Sequence, residues 1–261
     1  MNSVNKTLYI PLYGKAMVSK QGILLHDAKA EEIWQAEGFP LKGKSKSKWL
    51  AYNMSMRSAV FDRWLEQKLQ QHPESIVLHL GCGMDSRVLR VKHPENPWLD
   101  VDFPEVISHR KQYFSETSQY RMIGSDIRQK SWLDTVPQGG HALLVMEGVS
   151  MYLPPEELRS VLAAISGHFD SLDILMDTYT VFAAKVSKYK NPINDVGVTQ
   201  VYGFDDPIIL ETSGIRYVCS HSLTPEDMIG QLPGFEKIFF KKMFAGKTAQ
   251  KIYRLYEYSK P

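Results

Sequence analysis

Between residues 76 and 177, short apolar runs alternate with helix-like stretches, and this alternation constrains the fold more than any other feature. Ile76-Val-Leu-His-Leu80, Trp98-Leu-Asp-Val-Asp102, Tyr120-Arg-Met-Ile-Gly124, Ala142-Leu-Leu-Val-Met146 and Ser171-Leu-Asp-Ile-Leu-Met-Asp177 each read as a strand. The almost wholly apolar 142–146 run suits a strand covered on both faces, as in parallel sheets. Helices are expected over 53–71, from about 86 to 93, over 104–114 and over 156–168. Strand and helix in alternation imply a parallel sheet with right-handed crossovers. The series is too short for an eightfold barrel, whose units alone need about 250 residues.

Outside this stretch the rhythm loosens. Asp27 is placed to cap a helix over 28–34. The apolar positions Val60, Phe61, Trp64, Leu65 and Leu69 give the 53–71 helix one buried face. Residues 1–22 show no strong period. Residues 181–213 read as an insertion or lid, because turn formers and lysines interrupt any core pattern. Further strands are expected over 216–221 and 251–257, the latter half-exposed, with a helix from 223 to 229 between them. The chain is expected to form one domain over 1–261, with 1–52 as an amino-terminal cap.

The strand ends carry the chemistry. The first strand runs into Gly81-Cys-Gly83, a turn whose glycines permit close backbone approach. It lacks the third glycine of the dinucleotide fingerprint, and a bare pair of glycines also suits an ordinary turn. Asp100 and Asp102, two apart on a strand, point to the same side. With Asp126 and Glu147 they would lie at the carboxyl edge of the sheet, where open parallel sheets bind ligands. Ionised carboxylates only accept hydrogen bonds, so this edge suits ribose hydroxyls, an amino group or a cation better than a pyrophosphate.

Bulk properties narrow the class further. A net charge of +2, from 31 basic and 29 acidic side chains, does not suggest nucleic acid. No stretch approaches the roughly 20 apolar residues that span a bilayer, and no amino-terminal leader is evident. The two cysteines, Cys82 and Cys219, form neither a disulfide framework nor a metal pattern. A cytoplasmic protein without a metal is expected. Lys42, Lys44, Lys46 and Lys48 read as a solvated, mobile loop. His79 and Cys82 read as structural, while oligomeric state stays open.

Several motifs, in order, resemble the leucine carboxyl methyltransferase family. They are Arg57 with Phe61-Asp62, Leu80-Gly-Cys-Gly-Met-Asp-Ser-Arg87, Asp100-Val-Asp-Phe-Pro-Glu-Val106, Ser125-Asp-Ile-Arg128 and Glu147-Gly-Val-Ser-Met-Tyr-Leu153. Thr7-Leu-Tyr-Ile-Pro-Leu-Tyr-Gly-Lys-Ala16 is similar to the bacterial branch near the polyketide-synthesis O-methyltransferases. The resemblance runs from about residue 7 to 160 and is weaker beyond 180. It implies a Rossmann-like class I methyltransferase fold: a mostly parallel seven-stranded α/β sheet, last strand antiparallel, with helices on both faces. It also implies S-adenosylmethionine (SAM) as methyl donor.

Carried over by position, Lys15 and Arg57 would hold the donor's methionine carboxylate, and Gly81 and Gly83 would lie beneath its methionine part. Asp102 would bind ribose with Asp100 nearby, Asp126 and Ile127 would contact adenine, and Glu147 would sit near the amino group. Tyr152 is the best-placed candidate on the acceptor side, and no catalytic base is identifiable. The expected activity is O-methylation of a small molecule at a carboxylate or hydroxyl. The alternatives are a protein C-terminal carboxyl methyltransferase, an NAD-dependent oxidoreductase and a non-catalytic SAM-binding protein.

Overall fold

A computed structural model describes residues 5–38, 41, 43–92, 95–190, 200–212 and 214–261. Seven strands form one sheet: β1 (Ile76–Leu80), β2 (Trp98–Asp102), β3 (Tyr120–Gly124), β4 (His141–Met146), β5 (Ser171–Tyr179), β6 (Arg216–Ser220) and β7 (Tyr253–Lys260). Their order is β3-β2-β1-β4-β5-β7-β6. The pairs of β1 with β2 and β4, β2 with β3, and β4 with β5 are parallel. β7 enters antiparallel between β5 and β6. The chain order reverses on either side of β1, so the crevice at the carboxyl ends of β1, β2 and β4 is a topological switch point.

Residue parity along the strands sorts the core into two layers. Val77, Leu143, Val145 and Leu175 point to the face covered by the amino-terminal helices, against Phe61, Trp64 and Leu65. Leu78, Leu80, Leu144, Met146 and Ile174 point to the other face, against Leu158, Leu162 and Ile165. The first cover comprises α1 (Tyr9–Gln21), α2 (Ala28–Glu37) and α3 (Lys48–Gln71). Asp27 caps α2 by accepting from the Ala30 amide at 2.9 Å. Between the strands come α4 (Arg87–Arg90), α5 (Pro104–Arg110) and α6 (Pro155–His168), with prolines opening α5 and α6. Beyond β5 lie α7 (Val181–Lys190), α8 (Glu226–Ile229), α9 (Gly234–Phe244) and α10 (Lys247–Gln250).

Several sequence expectations shift. Residues 9–21 are helical although their apolar pattern has no clear period, because α1 is buried on several sides against α3 and the glycine turn. The helix expected to reach 93 is the single turn α4, whose arginines turn inward; His93 and Pro94 lie outside the described residues. β7 is not half-exposed: Leu255 to Tyr258 are buried, since the strand is paired on both edges. The lysine segment is not a loose loop. Ser45 is buried in a 3-10 turn over Gly43–Lys46, and Lys48 starts α3 and pairs with Glu236 at 2.7 Å; Lys42 lies outside the described residues. Of the 181–213 segment, 191–199 and 213 lie outside them too. Residues 201–204 are tied down, Tyr202 N donating to Met151 O and Phe204 N to Tyr179 O.

Candidate active site

A cavity of about 850 Å³ opens at the switch point, within the range of about 300–1,000 Å³ usual for ligand sites. One end is lined by Lys15, Arg57, Gly81, Gly83, Asp85 and Glu147, its flank by Asp102, Asp126 and Ile127, and the other end by Trp49, Leu50, Tyr152, Phe182, Met243 and Phe244.

The glycine turn has the strain its sequence implies. Gly81 and Gly83 have φ of 66° and 51°, where side chains are disfavoured. A Cβ on Gly81 would fall 2.2 Å from Val149 Cγ2, so the turn packs directly on the loop after β4. The Gly83 amide donates to Asp102 Oδ2 at 2.7 Å and the Phe103 amide to Asp102 Oδ1 at 2.7 Å. The Asp102 carboxylate is thus aimed by backbone donors, and burial raises its pKa. Among the described residues no cation is paired with it, leaving acceptor capacity toward the cavity.

Asp100 belongs elsewhere. It is fully buried and does not line the cavity. Its carboxylate faces Arg110 at 2.6 Å and accepts from the Tyr120 hydroxyl at 2.6 Å and Trp98 Nε1 at 2.9 Å, with His79 Nδ1 at 3.1 Å. Burial alone would raise its pKa, but Arg110, His79 and Tyr120 hold it at about 2. The shared side of Asp100 and Asp102 is real, yet the inner position meets α5 and β3 rather than the crevice.

The charged end is a buried ionic network. Arg57 Nε lies 3.0 Å from Glu147 and Nη1 2.7 Å from Asp177. Arg87, with no exposure, reaches Asp62 at 2.6 Å, Asp85 at 3.3 Å and the second Glu147 oxygen. Arg90 pairs with Asp27, Asp62 and Asp85, and Lys15 Nζ stands 3.0 Å from Asp85. Four cations therefore meet five carboxylates: Asp27, Asp62, Asp85, Glu147 and Asp177. Burial works against the charge of Glu147, but Arg57 and Arg87 hold its pKa below the usual range. Asp177 is raised, because burial outweighs Arg57. A surplus of one negative charge on this wall suits a ligand with net positive charge.

Among the positions expected to bind the donor, Lys15, Arg57, Gly81, Gly83, Asp102, Asp126, Ile127 and Glu147 all line this cavity; Asp100 does not. Asp126 is held at the rim by Arg128, at 2.5 Å. Sequence reasoning missed Arg87, Asp85, Asp177 and Gly148. Asp177 follows the strand-end rule that singled out Glu147 and could have been found the same way. Gly148 has φ of 71°, and a Cβ there would press within 3.3 Å of Arg57 Nη2. His79 bridges Asp100 and Arg87 Nη1, the latter at 3.3 Å, a bracing position on the cavity wall. Cys82 is buried, and burial with the nearby Asp100 pushes its thiol pKa well up, away from nucleophilic use.

The other end is apolar. α7, α9 and α10 supply Phe182, Ala183, Val186, Met243, Phe244 and Ala249, and α3 adds Trp49, Leu50 and Met54. Trp49 stacks on Phe244 with ring centroids 5.7 Å apart. Tyr152 lies at the junction of the two ends; burial pushes its pKa well up, partly offset by a hydrogen bond with Thr7. Tyr253 and Tyr179 meet edge-to-face at 4.7 Å, and burial likewise raises Tyr253.

A switch-point crevice with a glycine turn, an acid at the end of β2 and an apolar far end defines a Rossmann-like class I methyltransferase. Two solved structures share the fold: a methyltransferase, described as putative, from Thermobifida fusca YX (TM-score 0.57, 12% identity, 89% of this chain and 87% of that one) and the magnesium protoporphyrin IX methyltransferase ChlM from Synechocystis PCC 6803 (TM-score 0.52, 12% identity, 95% and 100%). A family model described as leucine carboxyl methyltransferase matches residues 3–166. The tetracenomycin polyketide synthesis O-methyltransferase TcmP of Streptomyces glaucescens is 30% identical over 241 residues, 91% of this chain and 89% of that protein. The S-adenosyl-L-methionine-dependent methyltransferase dpfgK of Gibberella zeae is 30% identical over 191 residues, 67% of this chain and 64% of that protein. The chain belongs to the leucine carboxyl methyltransferase family, whose methyl donor is SAM.

Proposed function

We propose that this enzyme transfers the methyl group of SAM to an anionic oxygen, foremost a carboxylate, on a small and largely apolar acceptor. The observation that carries the reading is the cavity's division into a charged end and an apolar, aromatic end. The residues present fit the donor. Its methionine part lies over Gly81 and Gly83, with Lys15 toward the carboxylate and Glu147 toward the ammonium. Arg57 is already committed to Glu147 and Asp177, so its share is to fix Glu147 as much as to touch the donor. Asp102 accepts from the ribose hydroxyls, and Asp126 and Ile127 meet the adenine. SAM supplies an electrophilic methyl on a cationic sulfur.

The protein's share of the reaction is alignment and exclusion of water. A phenol of ordinary acidity would need a base, whereas a carboxylate is already nucleophilic. Tyr152 and Tyr253 are shifted away from the phenolate, so neither serves as a base near neutral pH. Tyr152, kept protonated by burial, can position an acceptor oxygen through its hydroxyl. The name of TcmP, a polyketide O-methyltransferase, supports a small acceptor over a protein terminus.

The test is methyl transfer from labelled SAM to fused-ring aromatic carboxylic acids, matched phenols and a leucine-terminated peptide. Turnover on the aromatic acids, with the peptide at least 10-fold poorer, is expected. Peptide methylation at equal efficiency would overturn the small-acceptor reading, and failure to bind SAM in calorimetry would overturn the whole.

A further inference from the structure

Away from the large cavity, on the sheet's outer edge, Cys219, His221 and Glu257 converge. We infer that these three side chains form a transition-metal site, with zinc the best-fitting ion, that clamps β6 to β7. A backbone irregularity brings them together. Tyr217 faces Tyr258 in the antiparallel ladder, and regular pairing would then set Val218 opposite Glu257. A bulge puts Cys219 there instead, turning a thiol rather than an isopropyl group onto the glutamate's side of the sheet. Val218 is left half-exposed, and His221, two residues beyond Cys219, comes to the same side. Bulges commonly re-aim side chains in this way.

The distances suit a tetrahedral ion. Cys219 Sγ lies 3.5 Å from His221 Nε2 and 3.7 Å from Glu257 Oε2. With zinc bonds of about 2.3 Å to sulfur and 2.0–2.1 Å to nitrogen or oxygen, tetrahedral ligands stand about 3.3–3.6 Å apart. The third edge, His221 Nε2 to Glu257 Oε2, is a 2.6 Å hydrogen bond, which the ion would replace as the half-exposed His221 side chain swings outward by under about 1 Å. The other Glu257 oxygen is held by Lys68 Nζ at 2.8 Å, the kind of support that orients a ligating carboxylate. A catalytic triad does not explain the cluster, because the same ring nitrogen faces both sulfur and carboxylate. A second group, His72, His141 and Asp173, lies beyond Lys68. There the imidazoles stack at 4.2 Å and 24°, so their in-plane lone pairs do not converge on one ion. At the cysteine site, a divalent ion would displace the thiol proton to solvent and bind the thiolate, with neutral His221, Glu257 and a water as remaining ligands.

Titration of the whole, reduced protein with Co²⁺ as a spectroscopic probe tests this. One equivalent should give a thiolate-to-cobalt charge-transfer band that Zn²⁺ abolishes. The band should vanish in Cys219→Ser and in His221→Ala, the latter a half-exposed position beyond the end of β6. Zn²⁺ at 100-fold over its dissociation constant should raise the unfolding midpoint by roughly 5–10 °C in the parent and not in His221→Ala. No band, a band that survives both substitutions, or colourless binding lost only in His141→Ala would overturn the assignment. Should Cys219→Ser fold poorly, His221→Ala decides alone.

Discussion

The two ends of the cavity are built by opposite means. The charged end is assembled from strand termini and from α1, α3 and α4, and its central charges are each held by two or three others: Glu147 by Arg57 and Arg87, Asp85 by Lys15, Arg87 and Arg90. The apolar end is assembled from α3 and the helices after β5 and is held chiefly by contact area, with Lys48 and Tyr52 tying α3 to Glu236 of α9. Charges sunk in a low-dielectric wall tolerate no missing partner, whereas apolar side chains can repack. The charged end should therefore fail abruptly and the apolar end should drift. Arg57→Ala gives the largest contrast. It strips Asp177, a fully buried carboxylate, of its ion-pair partner, and an uncompensated buried charge costs about 3–5 kcal/mol. Denaturant unfolding should show a loss of that size, beside a change within about 0.5 kcal/mol for Lys44→Ala at the cavity rim. Equal losses would break the contrast.

Asp100 and Asp102 sharpen the same distinction within one strand. Asp100 has its folded pKa depressed to about 2 by Arg110 and its hydrogen bonds. It therefore contributes stability fully present above an unfolded pKa of about 3.9 and lost as pH falls through about 2, worth roughly 2.5 kcal/mol. Asp102 is raised, so its ionisation opposes folding and its removal relieves the fold. Asp102→Asn should leave stability at pH 7 unchanged or slightly higher and weaken S-adenosylhomocysteine binding by about 10–100-fold, the worth of hydrogen bonds to a charged acceptor. Asp100→Asn should do the reverse, destabilising the protein and flattening the pH 2–4 limb of its stability profile. Donor affinity equally sensitive to both substitutions would return Asp100 to the site.

This pair also marks how far the sequence could be read. The strands from 76 to 177 and their order-setting alternation were legible because hydrophobic period and turn chemistry agree there. The strand-end acids were legible because a charge just beyond an apolar run has few duller uses. Asp100 was misplaced because alternation specifies a face and not depth, and only the packing of Arg110 and Tyr120 distinguishes the two positions. Arg87 and Asp85 stood in a recognised motif, yet a single helical turn gives no period to show that Arg87 points inward. The α9 helix was not foreseen: Phe235, Ile238, Phe239, Phe240, Met243 and Phe244 surround its axis too evenly to pick out one buried face, and Phe235 and Ile238 are in fact exposed. The apolar end was illegible for that reason, and with it the proposed acceptor pocket.

At that apolar end the expected effects are smallest and most selective. Phe182 is 58% exposed and Met243 47% exposed, although both line the cavity. Because each already meets solvent, its loss costs the fold little, and only a bound acceptor would cover it. Phe182→Ser and Met243→Gln should each raise the KM for an aromatic acid by about 3–10-fold, corresponding to roughly 1 kcal/mol of partly buried apolar area. The dissociation constant for S-adenosylhomocysteine and the unfolding midpoint should stay within error, because neither residue touches the ionic network. A fall in kcat at unchanged KM would place these side chains in alignment of the methyl transfer instead of acceptor binding. Loss of donor affinity would mean that the two ends are coupled through α7, and that the cavity binds donor and acceptor as one unit.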